Sequence, residues 1–265
     1  MQHIPRKRFG QHFLHERGVI TRIVDEMNLN ADDHVVEIGP GLGALTDYLL
    51  PKLTRLDVVE LDRDLAKMLR ERYPSEKLIV HEGDALAFDF ATLGAPLRLV
   101  GNLPYNISTP LLFHFAKFRE RMQDGHFMLQ REVVERMVAA PSTPAYARLS
   151  VSLQLDFEME SLFRIGPGAF TPPPKVDSAI VRMTPLRQNP FNLNDREMFG
   201  DIVNRAFMQR RKTLRNSLRD YLSPTDFAAV DIDPMARAEN LGVADYVRIA
   251  NHVALRGKSS ADLQA

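Results

Sequence analysis

Short apolar runs alternate with amphipathic stretches through the first two-thirds of the chain. Apolar residues at helical spacing predict helices over residues 17–29, from about residue 45, over 62–72 and over 108–118. The intervening apolar runs predict buried parallel strands at His34–Ile38, Leu56–Glu60, Lys77–His81, Leu97–Val100 and His126–Gln130. Strands and helices that alternate in this way are typical of a doubly wound α/β fold.

The pattern changes near residue 149. Leu149–Glu158 and Ser178–Met183 have the pattern of two long strands, and the segment between them contains Pro172-Pro173-Pro174. These features predict a sheet that ends in an antiparallel hairpin with an elaborated loop. After Pro190 every pattern is helical, over residues 194–208, 211–221, 224–230 and 245–255. The sequence therefore predicts a first domain of residues 1–187 and a small all-α domain of residues 188–265.

Composition excludes several kinds of site. The 265 residues include no cysteine, which removes disulfides, thiolate metal sites and cysteine nucleophiles. The eight histidines have no metal-ligand spacing, so we expect no metal site. The sequence lacks a signal-peptide core and any apolar run of membrane-spanning length. We therefore expect a soluble cytoplasmic protein that binds no membrane, and a monomer by default.

Charge is balanced overall but unevenly distributed. The chain has 34 basic and 34 acidic residues, yet residues 202–219 contain six basic residues and no acidic one. A solvated helix face is the usual interpretation of a charge run. Contact with nucleic-acid phosphates is the alternative, and the absence of acidic residues favours it here. The candidate contacts are Arg205, Arg210, Arg211, Lys212 and Arg215.

Glycines and acidic residues follow the predicted strands. Gly39, Gly41 and Gly43 come after the first strand, Glu60 ends the second, and Asp84 follows the third. Ligands of open α/β folds bind at the carboxyl edge of the sheet, where glycines let them approach the backbone. Glu60 would accept two ribose hydroxyls. Asp84 would accept an adenine amino group, with a turn cap as its alternative role.

This glycine spacing fits two cofactor classes. A glycine loop and a following acidic residue suit S-adenosylmethionine and nicotinamide dinucleotides nearly equally. The dinucleotide fingerprint, however, is G-x-G-x-x-G rather than the G-x-G-x-G found here. A nicotinamide-dependent oxidoreductase therefore remains the enzymatic alternative at this point.

Asn102-Leu103-Pro104-Tyr105 closes the fourth predicted strand. Adenine N6 is a poor nucleophile because its lone pair is delocalised, and the Asn102 carbonyl with a nearby backbone carbonyl would accept its two N–H groups. Pro104 would fix the backbone that presents these oxygens, and Tyr105 would stack on the base. In isolation, this tetrapeptide is more often a strand-ending turn. The upstream glycines and acidic residues favour the functional interpretation.

Several segments together resemble the KsgA/RsmA group of small-subunit ribosomal RNA adenine dimethyltransferases, nearly end to end. The resemblance implies a Rossmann-like class I S-adenosylmethionine-dependent methyltransferase sheet and a helical rRNA-binding domain. The segments that carry it are 8–14, 37–46, 59–62, 83–85, 102–110, 170–178, 209–218 and 237–241. Of these, the Asn-Leu-Pro-Tyr, Phe-x-Pro-Pro-Pro-Lys-Val and Arg-Arg-Lys-x-Leu-Arg segments are the most specific.

The resemblance also implies roles for individual residues. Asn102, Leu103 and Tyr105 would form the reaction centre, and Phe170 would stack on the second face of the base, with core packing as its alternative. The family often has asparagine where this chain has His12, so a backbone contact is favoured at that position. The implied cofactor-binding residues are His12, Leu14, Gly39, Gly41, Glu60, Leu61, Asp84, Ala85 and Asn102.

The implied reaction is direct methyl transfer to N6 of two adjacent adenines in the 3′-terminal hairpin loop of 16S rRNA, during late assembly of the 30S subunit. The target base would be turned out of its stack. The related Erm enzymes modify a large-subunit adenine, but the basic helical tail favours the small-subunit branch. A non-catalytic ribosome assembly factor is the alternative from another class.

Overall fold

The computed structural model describes residues 12–188, 190–209 and 211–262, with side chains up to residue 256. The chain forms two compact units. The first contains the residues up to Val134 together with Glu158–Pro185, and the second contains Glu135–Phe157 and the residues from Leu186 onward. The sequence analysis placed Glu135–Phe157 in the first domain, whereas the contacts of this segment group it with the second unit.

The elements alternate as the apolar pattern predicts. The helices are α1 (Arg17–Glu26), α2 (Thr46–Leu49), α3 (Arg63–Arg72), α4 (Ser108–Ala116), α5 (Arg131–Met137), α6 (Arg148–Gln154), α7 (Arg196–Met208), α8 (Leu214–Ser217), α9 (Pro224–Ala229) and α10 (Val243–Asp262). The strands are β1 (Phe13–Leu14), β2 (Val35–Ile38), β3 (Leu56–Glu60), β4 (Leu78–Glu82), β5 (Leu97–Asn102), β6 (Met122–Gln130), β7 (Phe157–Ile165), β8 (Phe170–Thr171) and β9 (Ser178–Pro185).

The first unit is built on a seven-stranded sheet in the order β4-β3-β2-β5-β6-β9-β7. Strands β2 to β6 are parallel, and β9 is antiparallel to β6. Every residue of β2 and β3 is buried, which explains why these strands are mostly apolar in the sequence, with Glu37, Asp57 and Glu60 as the acidic exceptions. The predicted α/β class, the five parallel strands and the antiparallel end of the sheet are confirmed.

A second, two-stranded sheet pairs β1 with β8 in antiparallel register. Phe13 lies opposite Thr171, and Leu14 lies opposite Phe170. Two-residue strands have no periodicity, so the sequence analysis did not predict them. Their pairing ties the amino-terminal segment to the loop that precedes β9.

The predicted strand Leu149–Glu158 is wrong in its first half, because Arg148–Gln154 forms α6. Apolar residues alternate at 149, 151 and 153, a pattern of period two that also occurs in a short, fully buried helix. The buried Ser150 settles the helix start, since its hydroxyl accepts from the Ala147 amide at 3.0 Å and donates to the Arg136 carbonyl.

The predicted helix over 211–221 is also shorter, since α8 covers only Leu214–Ser217. Thr213 forms a β-bridge with Arg237 just before it. The amides of Leu214 and Arg215 then donate to the carbonyls of residues 236 and 234. These hydrogen bonds to residues 234 and 236 take the place of helical hydrogen bonds at the start of the predicted helix.

The second unit has its own hydrophobic core. Apolar side chains of α6, α7 and α10 pack together, and two buried tyrosines tie the loop before α10 to this core. The Tyr146 hydroxyl donates to the Leu241 carbonyl, and the Tyr246 hydroxyl donates to the Ala238 carbonyl.

Across the described residues of both units, no helix combines the length and apolarity that a membrane span requires.

Candidate active site

The carboxyl ends of β2, β3, β4 and β5 meet at one edge of the sheet, where a cavity of about 260 Å³ opens. Each strand end contributes one predicted residue to its wall: Gly39, Glu60, Asp84 and Asn102. The cavity is also lined by the predicted residues His12, Leu14, Gly41, Leu61, Ala85, Leu103 and Tyr105. The structure therefore brings together eleven residues that lie far apart in the sequence.

The glycine loop after β2 leaves space where side chains would stand. Gly39 has a φ of +65°, and no atom lies within 4 Å of the position that a Cβ would take. Gly41 has a φ of +60°, and its Cβ position is 3.1 Å from the ring of Phe13. Glycine is suited to both positions because it adopts positive φ without steric cost. The backbone at Gly39 is consequently open to a ligand.

Glu60 is buried, with 5% of its surface exposed, and the backbone fixes its carboxylate. Oε2 accepts from the Gly41 amide at 3.0 Å, and Oε1 accepts from the Asp62 amide at 2.8 Å. Burial raises the pKa of Glu60, and these hydrogen bonds oppose the rise. The backbone thus holds the carboxylate in a fixed orientation, and its remaining acceptor capacity can serve ligand hydroxyls.

Asp84 and Leu61 form another part of the wall. Oδ1 of Asp84 accepts from the Leu86 amide at 2.9 Å, so one oxygen does cap a turn. Oδ2 makes no hydrogen bond to any described residue and remains able to accept an amino group. Leu61 is 46% exposed and gives the cavity an apolar surface.

Glu37 also lines the cavity, although the sequence analysis gave it no role. Burial raises its pKa to about 8, against the hydrogen bond that its Oε2 accepts from the Thr46 hydroxyl at 2.6 Å. The carboxyl group is therefore largely protonated at pH 7. The sequence could have indicated Glu37 as a site residue, because an acidic residue is rare inside an otherwise apolar buried strand.

Asn102 is fixed at the end of β5. Its Nδ2 donates to the His12 carbonyl at 2.8 Å, which assigns the amide orientation and leaves Oδ1 as an acceptor. Next to it, the Leu103 amide donates to the Met128 carbonyl, and the Leu103 side chain is buried. The arrangement presents an acceptor to a donor group that enters the cavity.

The half-buried Tyr105 forms the adjoining wall. Its hydroxyl lies 2.6 Å from Ser178 Oγ at the start of β9. Burial raises the pKa of Tyr105, so the phenol is neutral at physiological pH. The His12 ring is stacked on this tyrosine, with the ring centroids 5.6 Å apart and the planes inclined by 26°.

Phe170 does not lie at the cavity. Its ring is only 2% exposed and packs in the hydrophobic core of the first unit, next to Leu14 and Ile180 among others. In this structure the Phe170 ring packs in the core, and its backbone pairs with that of Leu14. The stacking of Phe170 on a base stays a prediction.

The predicted RNA-binding residues belong to the second unit. Arg211, Lys212 and Arg215 are exposed, and Arg210 lies outside the described residues. Arg205 forms an ion pair with Asp220, the first acidic residue after the basic run. This ion pair neutralises part of the positive charge that the sequence indicated.

The residues at the cavity fit S-adenosylmethionine. The open position at Gly39, the fixed carboxylate of Glu60 and the exposed Leu61 match a ligand that combines an amino-acid chain, a ribose and an adenine. In the part of the chain with described side chains, no three histidine or acidic residues cluster in a way that could hold a metal ion.

Comparison with known proteins identifies a specific chemistry. Residues 2–255 match the family described as ribosomal RNA adenine dimethylase. The chain is 58% identical over 255 residues to ribosomal RNA small subunit methyltransferase A of Aromatoleum aromaticum, covering 96% of both chains. Its identity to the protein of that name from Nitrosospira multiformis is 56% over 252 residues, covering 95% of this chain and 97% of the relative.

Solved structures agree with this assignment. A dimethyladenosine transferase from Plasmodium falciparum superposes with a TM-score of 0.79 at 26% identity, covering 93% of this chain and 98% of the other. The 23S rRNA methyltransferase ErmE superposes with a TM-score of 0.73 at 24% identity, over 91% and 99% of the two chains, and shows the shared fold. The protein is thus an S-adenosylmethionine-dependent enzyme, and its chain belongs to the ribosomal RNA adenine dimethylase family.

Proposed function

We propose that the protein transfers methyl groups to N6 of two adjacent adenines in the 3′-terminal hairpin loop of 16S rRNA, giving N6,N6-dimethyladenosine in each. Its substrate is a 30S subunit or a late precursor in the cytoplasm, on which it acts as a monomer. The names of the relatives support the small subunit as target. The observation that carries the chemistry is the Asn102 amide in the cavity wall, which is fixed through Nδ2 by the His12 carbonyl and keeps Oδ1 as an acceptor.

The geometry of the strand ends supports the cofactor contacts in this proposal. Glu60 receives the ribose hydroxyls, Asp84 Oδ2 receives the adenine amino group, and the backbone at Gly39 accommodates the methionine portion. The bound cofactor supplies an electrophilic methyl group on a sulfonium centre. The remaining contacts in this proposal come from His12, Leu14, Gly41, Leu61, Ala85 and Asn102.

The reaction centre positions the adenine amino group. Asn102 Oδ1 and the Leu103 carbonyl accept the two N6–H groups, so the nitrogen lone pair points toward the methyl group. Transfer would form the N–C bond and break the C–S bond of the cofactor, leaving S-adenosylhomocysteine, and the methylated amine would release a proton to water. Much of the rate gain on this account is positioning, for which no strong side-chain base is required.

The decisive experiment uses small subunits from cells that lack the modification. The protein is incubated with them and with methyl-labelled S-adenosylmethionine, and the digested rRNA is mapped by mass spectrometry. Dimethyladenosine at the paired loop adenines is the expected result. Cofactor binding without any label would contradict the proposal and would favour a non-catalytic assembly factor.

The Asn102→Ala variant tests the role of the amide in the same assay. We expect turnover to fall by very roughly 10²–10³, the scale of a lost polar contact in a transition state. Cofactor affinity, measured by calorimetry with S-adenosylhomocysteine, should fall much less than the rate. A rate close to that of the unmodified protein would remove Asn102 from the mechanism.

A further inference from the structure

Arg72, in the last turn of α3, contacts the glycine loop although it does not line the cavity. Its Nη1 donates to the Leu42 carbonyl at 3.0 Å. Its Nη2 donates to both carboxylate oxygens of Asp47 in α2, at 2.9 and 2.6 Å. One guanidinium group therefore holds both the loop and the helix that follows it.

Leu42 lies between two residues of high backbone freedom. Its neighbours Gly41 and Gly43 have φ angles of +60° and +85°. Glycine has more backbone freedom than any other residue, so contacts from outside the loop are needed to select one conformation. Glu60 supplies one such contact through the Gly41 amide, and Arg72 supplies a second through the Leu42 carbonyl.

We propose that Arg72 is a positioning residue for the cofactor, because it holds the glycine loop in the conformation that receives S-adenosylmethionine. The inference rests on the cofactor contacts of the proposed function, which assign the methionine portion to Gly39 and the ribose to Glu60. A loop that is already ordered loses less conformational entropy on binding than a mobile one. Arg72 therefore acts on cofactor affinity and not on the transfer of the methyl group.

Asp47 orients the guanidinium that reaches the loop. Its carboxylate also accepts from the Tyr73 hydroxyl at 2.7 Å, so it is held from two sides. The planar guanidinium presents its nitrogens in a rigid fork, so the bond to the carboxylate fixes the nitrogen that donates to Leu42. In this arrangement Asp47 acts through Arg72, and substitutions of the two residues should not be additive.

The alternative is an exposed ion pair that has no effect on the cofactor. The side chains of Arg72 and Asp47 are 43% and 41% exposed, and pairs of this kind commonly contribute little to stability. The two possibilities differ in their predictions for cofactor binding. An ion pair of the fold alone changes the melting temperature, whereas a positioning residue changes the affinity for the cofactor.

The test combines calorimetry with S-adenosylhomocysteine and steady-state kinetics with small subunits. We expect Arg72→Ala to weaken S-adenosylhomocysteine binding about 3- to 10-fold. The KM for S-adenosylmethionine should rise by a similar factor, and kcat at saturating cofactor should stay unchanged. Asp47→Ala should give a similar loss of affinity, and the double variant should lose no more than either single variant.

Arg70→Ala is the matched control, because Arg70 lies in the same turn of α3 and is 46% exposed. It likewise donates to a carbonyl and a carboxylate, those of Val80 and Glu82, but it does not contact the glycine loop. This variant should keep its cofactor affinity. Equal affinities of the Arg72 and Arg70 variants would overturn the inference, and so would a fall in kcat with an unchanged KM.

Glu60→Ala separates this inference from the proposed function. Unchanged S-adenosylhomocysteine binding by Glu60→Ala would refute the proposed cofactor contacts. Weakened binding by Glu60→Ala together with unchanged binding by Arg72→Ala would overturn the inference alone. Melting temperatures without cofactor show that the variants are folded, and the substitution of exposed side chains should shift them little.

Discussion

Tyr105 contributes a ring to the cavity and a hydroxyl to the sheet behind it. Ser178, the partner of the hydroxyl, is completely buried, so this pair must satisfy its own hydrogen bond. The ring is only half-buried, and one of its faces is directed to His12. The structural and the proposed functional contributions of Tyr105 are therefore carried by different atoms and can be separated by substitution.

Comparison of Tyr105→Phe with Tyr105→Ala separates them. The phenylalanine variant should keep its affinity for small subunits, but it leaves the Ser178 hydroxyl without its partner and should lose about 1–3 kcal/mol in free energy of unfolding. The alanine variant should lose about 1–3 kcal/mol of RNA binding through stacking. Denaturant unfolding and a binding titration measure the two quantities. If both variants bind RNA equally weakly, the hydroxyl rather than the ring is the important group.

His126 is a buried residue whose ring lacks hydrogen bonds. Only 1% of its surface is exposed, and neither ring nitrogen has a hydrogen-bond partner among the residues that the structure describes. The nearest carboxylate oxygen, Oδ1 of Asp124, lies 3.9 Å from Nδ1. Burial lowers the pKa of His126 to about 4. The folded protein therefore holds this side chain neutral where an unfolded chain would already bind a proton.

This difference predicts a pH dependence of stability. An unfolded histidine titrates at about pH 6.5. Between that pH and about pH 4, the unfolded state therefore binds more protons than the folded state. The free energy of unfolding should consequently fall as the pH is lowered through this window, and stay unaffected by His126 above it. His126→Leu should reduce this fall by on the order of a few kcal/mol. Urea unfolding at pH 7 and pH 5, with His15→Ala as control, measures it; an unchanged slope would contradict the assignment.

The glycine loop between β2 and α2 combines two different steric demands. At Gly39 the Cβ direction is empty, whereas a Cβ on Gly43 would lie 2.7 Å from Tyr73 Oη. That hydroxyl donates to Asp47 at 2.7 Å in α2, so it cannot move without losing a hydrogen bond. One glycine therefore leaves room for a ligand, and the other permits close packing within the protein.

Alanine substitutions should distinguish the two glycines. Both have positive φ, which costs a non-glycine residue about 1–2 kcal/mol. Gly43→Ala adds a clash and should lower the free energy of unfolding more than Gly39→Ala does. Gly39→Ala should show the larger loss of S-adenosylmethionine affinity by calorimetry. Gly168→Ala, at a surface turn with open space and no positive φ, is the control and should change neither.

Much of this element pattern is readable from the sequence for a physical reason. Buried parallel strands are continuous apolar runs, and the residues that end them, such as Glu60 and Asn102, fall at one edge whatever the loops do. The pairing of β1 with β8 is different, because it depends on a contact between segments over 150 residues apart. The burial of Phe170, which pairs with Leu14, could not be predicted from the sequence for the same reason. The helix α6 was missed because a short buried helix and a buried strand share one apolar pattern.

Basic side chains are concentrated in one segment of the second unit. The chain as a whole is neutral, yet exposed basic side chains follow one another at Arg211, Lys212 and Arg215 in the second unit. Binding of a polyanion releases counterions in proportion to the phosphates contacted. A local cluster of this kind would therefore influence RNA affinity in a way that the net charge does not reveal.

The double variant Arg211→Ala/Lys212→Ala should weaken binding to small subunits and flatten its salt dependence. Each lost phosphate contact should reduce the slope of log affinity against log salt by about 0.7–0.9. Arg63→Ala/Lys67→Ala removes the same charge from highly exposed positions on α3 and serves as the matched control. Equal slopes for the two double variants would show that the cluster is a solvated surface without a specific role in RNA contact.

The division of the chain into two units has a consequence for synthesis. Each unit is made of two separate stretches, and the stretches interleave. The sheet of the first unit lacks β7 and β9 until residues up to Pro185 have been translated, and the second unit needs residues beyond Leu186 to cover the segment Glu135–Phe157. Domains ordinarily fold one after another from the amino terminus during translation. Here the first unit cannot be completed until Glu135–Phe157, a segment of the second unit, and the strands after it have been synthesised. A nascent chain arrested near residue 150 should therefore contain no completed domain.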